Sequence, residues 1–153
     1  MQTVATDAIA TAFVTTILGI TPTATPLQAI RWSYTPSPRV NGRAQLQPAT
    51  RNFDLIFRNA MFTAEWVGGR GSAYKVNVAI VTSYAGVEPE TRDHIKAQDA
   101  VDLRRELRRL ISTPAGLPGL ANVVAMGEAN ETGAEATYSV EHTFEVHYHQ
   151  ATA

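Results

Sequence analysis

Apolar and polar residues alternate strictly near the C-terminal end. Tyr138, Val140, His142, Phe144, Val146 and Tyr148 are separated by Ser139, Glu141, Thr143, Glu145 and His147, with His149 following. Alternate side chains of a β-strand point to opposite faces, so the spacing predicts a strand from Ala134 to His149 with one packed and one polar face. At ~3.3 Å per residue such a strand runs for about 40 Å, against a usual length of about 5–6 residues. A strand this long suits a framework or an assembly surface better than a buried catalytic core.

Elsewhere the period changes to that of a helix. Ile9, Phe13 and Ile17 recur at i, i+4 and i+8, with Asp7 in the first turn, and predict a helix from Val4 to Leu18 that Gly19 and Pro22 end. Ala100, Leu103, Leu107, Leu110 and Ile111 form a second stripe, extended by Ile95, and predict a helix over Glu90 to Ile111. Its acids (Glu90, Asp93, Asp99, Asp102) lead and its arginines (Arg104, Arg105, Arg108, Arg109) follow, which matches the helix dipole. Strands are predicted over Gln28–Tyr34, within Arg51–Trp66, over Tyr74–Tyr84 and over Leu120–Met126. Gly68, Gly69 and Gly71 mark a hairpin turn, and Asn130–Gly133 marks another. Residues 35–50, with Pro36, Pro38, Gly42 and Pro48, read as a long loop. The sum is an α+β fold: a mostly antiparallel sheet of about five strands with two helices packed on it, in a single domain over 1–153.

Composition narrows the function. The chain has 153 residues, 44% hydrophobic and 18% charged, and 13 basic against 14 acidic residues leave a net charge of -1. That balance lacks the basic excess of a general nucleic-acid binder. Cysteine is absent, which excludes disulfides and thiolate metal sites. The first basic residue is Arg31, so the positive n-region of a signal peptide is missing, and the apolar stretch Ala8–Ile20 is too short and too threonine-rich to span a bilayer. A soluble intracellular product is the expectation.

Candidate chemistry is thin. His147 and His149 share a strand face with Glu145, a donor set that suits zinc or iron, but i, i+2 placement follows automatically from alternation. His142 sits on the apolar face and reads as a hydrogen-bonded core or interface histidine rather than a catalytic base. Gly68, Gly69, Arg70 and Gly71 have neither the lysine nor the following helix of a phosphate loop. The run from Asp102 to Leu110 is arginine-rich, yet four acids precede it on the same helix, and no aromatic platform accompanies it. Glu128, Glu131 and Glu135 read as a solvated hairpin tip. No catalytic residue, metal site or cofactor is expected.

Several segments together resemble a known family. These are the N-terminal helix, the strand Arg51-Asn-Phe-Asp-Leu-Ile-Phe57, the strand Tyr74-Lys-Val-Asn-Val-Ala-Ile-Val81, the helix Asp99-Ala-Val-Asp-Leu-Arg-Arg-Glu-Leu-Arg-Arg-Leu110 and the strand Tyr138-Ser-Val-Glu-His-Thr-Phe-Glu-Val-His-Tyr148. In this pattern the chain is similar to the tail terminators of long-tailed bacteriophages, minor tail proteins that cap a finished tail tube. The resemblance covers most of the chain and lies in pattern rather than in an invariant motif; the loop at 35–50 departs from it. It implies a structural virion protein, made in the host cytoplasm, that forms a homo-oligomeric ring, expected to be a hexamer. Such a ring stops tube polymerisation and joins the tail tube protein to the head–tail connector and neck proteins, with DNA passing through its lumen, no membrane and no sequence-specific nucleic-acid readout.

A ring needs two different surfaces on each subunit. Arg39, Arg43, Arg70, Arg104, Arg105, Arg108, Arg109, Glu141, Glu145 and His147 are the candidate contact residues, since arginine forks and polar strand faces suit interfaces. Two alternatives remain. One is another neck, head-completion or tail-tube subunit. The other is a small metal- or ligand-binding α+β domain that uses His142 or the His147/His149 pair.

Overall fold

The alternation of the last strand builds the centre of the molecule. In the computed structural model, which describes residues 4–25, 27, 29–36, 39–40, 43–44, 49–65, 71–85, 87–112, 116–132 and 138–151, β7 runs over Tyr138–Ala151. Val140, His142, Phe144, Val146 and Tyr148 are all buried on one of its faces. On that same face the neighbouring strands β4 (Asn52–Glu65) and β5 (Gly71–Ser83) place Phe53, Leu55, Val76, Val78 and Ile80. Helix α1 (Thr6–Leu18) closes the core with Ile9, Phe13 and Ile17, and α2 (Pro89–Ser112) with Leu103 and Leu107. Both helices therefore cover the same face of the sheet and touch each other there.

The main sheet has five strands in the order β1-β4-β5-β7-β6, where β1 is Ser33–Tyr34 and β6 is Leu120–Thr132. Pairing is antiparallel throughout except for β1, which lies parallel to the start of β4. The predicted α+β class, two helices on a mostly antiparallel five-stranded sheet, is what the molecule shows. Two strands adjacent in sequence, β4 and β5, form the expected hairpin, and its turn at 66–70 lies outside the described residues. The loop at 35–50 holds a short antiparallel ribbon, β2 (Arg39–Val40) with β3 (Arg43–Ala44), apart from the main sheet.

The boundaries of β1 and β6 differ from expectation. The strand predicted over Gln28–Tyr34 shrinks to two residues: the Ile30 amide turns back to the Leu27 carbonyl (3.2 Å), and Arg51 takes the Ile30 carbonyl (2.8 Å) that a neighbouring strand would otherwise use. Ile30, Trp32 and Tyr34 alternate in the sequence as one apolar strand face would, yet they separate: Trp32 is buried whereas Ile30 is exposed. Finally, β6 continues to Thr132, through the turn expected from Asn130, and the hairpin tip at 133–137 lies outside the described residues. Gly19 does end α1, with its amide donating to the carbonyls of Thr15 and Thr16, but at an ordinary right-handed φ of -80°.

Candidate assembly surface

Three parts of the molecule are candidates for contact with other chains: the outer edge of β6, the solvent side of α2 and the polar face of the sheet. Each follows from local sequence. β6 ends the sheet, with β7 on one side and no strand on the other among the described residues. From Leu120 to Gly127 it carries no charge, and it exposes Val124 and, at 57% exposure, Met126. Natural edge strands are ordinarily short, charged, kinked or covered, since an unpaired row of amides and carbonyls templates another strand. Here the devices are two register shifts, at Leu120/Asn122 and Ala125/Gly127. The exposed apolar side chains remain.

On α2 two of the arginines meet acids of the same helix. Arg105 reaches Asp102 (3.3 Å) and Glu106 (3.2 Å), and Arg109 reaches Glu106 (3.4 Å). Arg104 and Arg108 are exposed on the same helix, one turn apart. Two of the four acids expected to serve the helix dipole do something else. Asp99 and Asp102 are fully buried, at positions i+4 and i+7 from buried Ile95 and next to buried Leu103. Asp102 accepts hydrogen bonds from the amide (3.1 Å) and hydroxyl (2.7 Å) of Thr23.

Asp99 accepts two from the Arg51 guanidinium, at 2.9 and 3.0 Å, and one from the Tyr84 hydroxyl at 2.8 Å. Burial pushes the Asp99 carboxyl above the ordinary carboxylate range, against the pull of Arg51 and Tyr84. Arg51 itself is completely buried and holds a φ of 59°, a left-handed conformation that costs about 1–2 kcal/mol in a residue with a Cβ. Its amide donates to the Ser83 carbonyl (2.8 Å) and its carbonyl accepts from the Ser33 amide (3.0 Å). One residue thus joins α2, the segment before β1, β1 and β5, and holds the helix bearing the arginines against the sheet.

On the polar face, Glu141 is buried and forms a two-pronged pair with Arg58 (2.7 and 2.8 Å), reaching across β5 from β7 to β4. Glu145 lies 2.7 Å from His147 Nε2 on the same strand. Among the sequence candidates, therefore, Glu141, Glu145 and His147 share one sheet face, while Arg104, Arg105, Arg108 and Arg109 share a helix that packs on the other. Arg39 and Arg43 lie in the β2–β3 ribbon with their side chains outside the described residues, and Arg70 lies outside them altogether. Among the described residues no group of three or more His, Cys, Asp and Glu side chains is arranged to hold a metal ion, and no helix is long and apolar enough to cross a membrane.

His142 needs a correction. It is buried as expected, but neither ring nitrogen has a hydrogen-bond partner among the described residues. Burial first, and then the charge of Lys96, lowers its pKa from 6.5 to about 4, so the imidazole is neutral at neutral pH.

The sequence missed Arg51, which is 48 positions from Asp99 and carries no motif. A signal for its partner existed: Asp99 falls inside the apolar stripe of α2, where a solvated acid has no place. No protein-family model matches the chain, and no curated protein matches it.

Proposed function

We propose that the protein is a structural subunit of a phage virion, a tail terminator that assembles into a hexameric ring on the end of the tail tube. The observation that carries this reading is the edge of β6: thirteen residues of strand whose first eight bear no charge and which expose Val124 and Met126. An edge of that kind calls for a neighbouring chain. The arginines of α2 offer a second and different surface, and two unlike surfaces are what a head-to-tail ring requires. The segments that resemble tail terminators include both the helix that carries these arginines and the strand, β7, against which β6 is paired.

In this reading the protein turns nothing over. Its role is to stop tube growth and to present a surface to the connector and neck proteins. The direct test is to let the tail tube protein of the same virion polymerise with and without the protein. Tubes that stop lengthening, with one ring at one end, are the expected result. Tubes that grow equally long in its presence would contradict the terminator role. A ligand-binding module is the second reading, and the unpartnered imidazole of His142 is the observation that favours it.

A further inference from the structure

The main sheet has a second outer edge. β1 pairs only with Asn52 and Phe53 at the start of β4, and from Ala60 to Glu65 no strand lies outside β4 among the described residues. Asn59 to Ala64 carry no charge, and Met61 among them is 52% exposed. This edge matches that of β6 in three ways. In direction, the pairings β4–β5, β5–β7 and β7–β6 are all antiparallel, so β6 runs opposite to β4. A second copy set beside the first in the same orientation therefore lays its β4 antiparallel to β6. In height, one cross-strand file links Met61, Lys75, His147 and Asn122, and the next links Arg58, Asn77, Glu145 and Val124. The two uncharged runs thus lie level, at opposite sides of the sheet. In facing, Met61 and Val124 both stand on the face that carries Glu145 and His147, because directly opposed and alternate residues share a face.

We propose that the occupant of the β6 edge is the β4 edge of a second copy, joined antiparallel with Val124 of one subunit opposite Met61 of the next. One sheet then runs on from subunit to subunit, a contact that rests on the ring proposed above and names its seam. Copies set strictly level would put Met61 opposite Asn122. A slip of two residues, about 7 Å at ~3.4 Å per residue, puts it opposite Val124. A sheet that closes on itself needs a stagger of this kind. The slip also pairs the two exposed apolar side chains, and directly opposed side chains are what stabilise a strand pair. Closure needs curvature as well, which bulges supply. β4 is shifted in register between Arg58 and Met61, and β6 between Ala125 and Gly127. The β4 and β6 edges are different surfaces, so their contact is head-to-tail and closes when the rotation allows. Two β6 edges paired about a two-fold axis would satisfy β6 but leave the Met61 edge open in both copies.

The chain has no cysteine, so introduced thiols report without background. Val124→Cys and Met61→Cys, both at exposed positions, are purified separately, mixed in equal amounts and treated with a short bismaleimide, with and without tail tubes. The same samples are sedimented before treatment. The expected product is a crosslinked dimer with one chain of each variant, and only traces of either variant linked to itself. A chain carrying both substitutions should give a ladder that reaches about six chains, the size of the proposed ring. Met61→Lys should weaken assembly by at least about tenfold, since a charge blunts a strand edge. Val124→Cys linked to itself, with no mixed dimer, would overturn the proposal in favour of two-fold pairing of β6. Rings that form without the mixed crosslink, or undiminished in Met61→Lys, would also overturn it and leave the ring reading standing. A chain that stays monomeric under every condition would remove the ring and this seam together. A mixed crosslink in a protein that fails to stop tube growth would keep the seam and remove only the capping role.

Discussion

Arg51 ties together buried groups from several elements. Its guanidinium satisfies Asp99 and two loop carbonyls, and its backbone ties β1 to β5. Removing one partner of a buried ion pair strands the other, so Arg51→Ala should destabilise the fold by about 3–5 kcal/mol in a urea titration. Arg51→Lys should recover little, because an ammonium cannot reproduce the fork. A loss under about 1 kcal/mol would mean that the pair is not what holds α2 in place. His142 makes a second prediction at this scale. Its folded pKa of about 4 lies below the unfolded 6.5, so the unfolded chain binds the extra proton between these values and stability falls as pH drops through that window. The charged group acting on it is Lys96 of α2, which pushes in the same direction. Between pH 7 and pH 5 the unmodified chain should lose about 2 kcal/mol more than His142→Leu does. Parallel stability curves for the two proteins would show that the imidazole is not held neutral.

At the scale of elements, what periodicity could reveal was legible. Ile9, Phe13 and Ile17 of α1, and the buried file Val140 to Tyr148 of β7, stand where their spacing put them, because burial of a regular face is a local property of the sequence. What depended on distant partners was not legible. The shortening of β1 is decided in part by Arg51, seventeen positions after Tyr34, and the roles of Asp99 and Asp102 are decided by Arg51 and Thr23. The edge position of β6 belongs to this second kind: its run of uncharged residues is visible, but the strand order that leaves it unpaired is a tertiary outcome. Adding charge is how natural edges are blunted, so Val124→Lys with Met126→Lys should abolish self-assembly while changing the stability of the isolated fold by less than about 1 kcal/mol. Unchanged assembly, read by light scattering, would move the interface elsewhere. Reversal of exposed Arg104 (Arg104→Glu) should likewise weaken assembly by at least about tenfold with the fold intact, since surface changes away from special contacts stay within about 0.5 kcal/mol. Arg105 is a poorer choice for that test, because reversing it would set a new carboxylate against buried Asp102.

For the whole molecule, the arrangement is a rigid sheet braced on one face by two helices, with its unsatisfied surface at one edge and along one helix. In the proposed function that division is what matters: the edge and the helix supply the contacts of an assembly. In the proposed assembly these contacts close into a ring. Sedimentation velocity of the purified chain, alone and mixed with tail tubes over a wide concentration range, reads this out. The expected species has about six times the mass of the 16.6 kDa chain, in solution or bound at the tube ends, and is unchanged by a metal chelator. A chain that sediments as a 16.6 kDa monomer under every condition, tubes included, would contradict it.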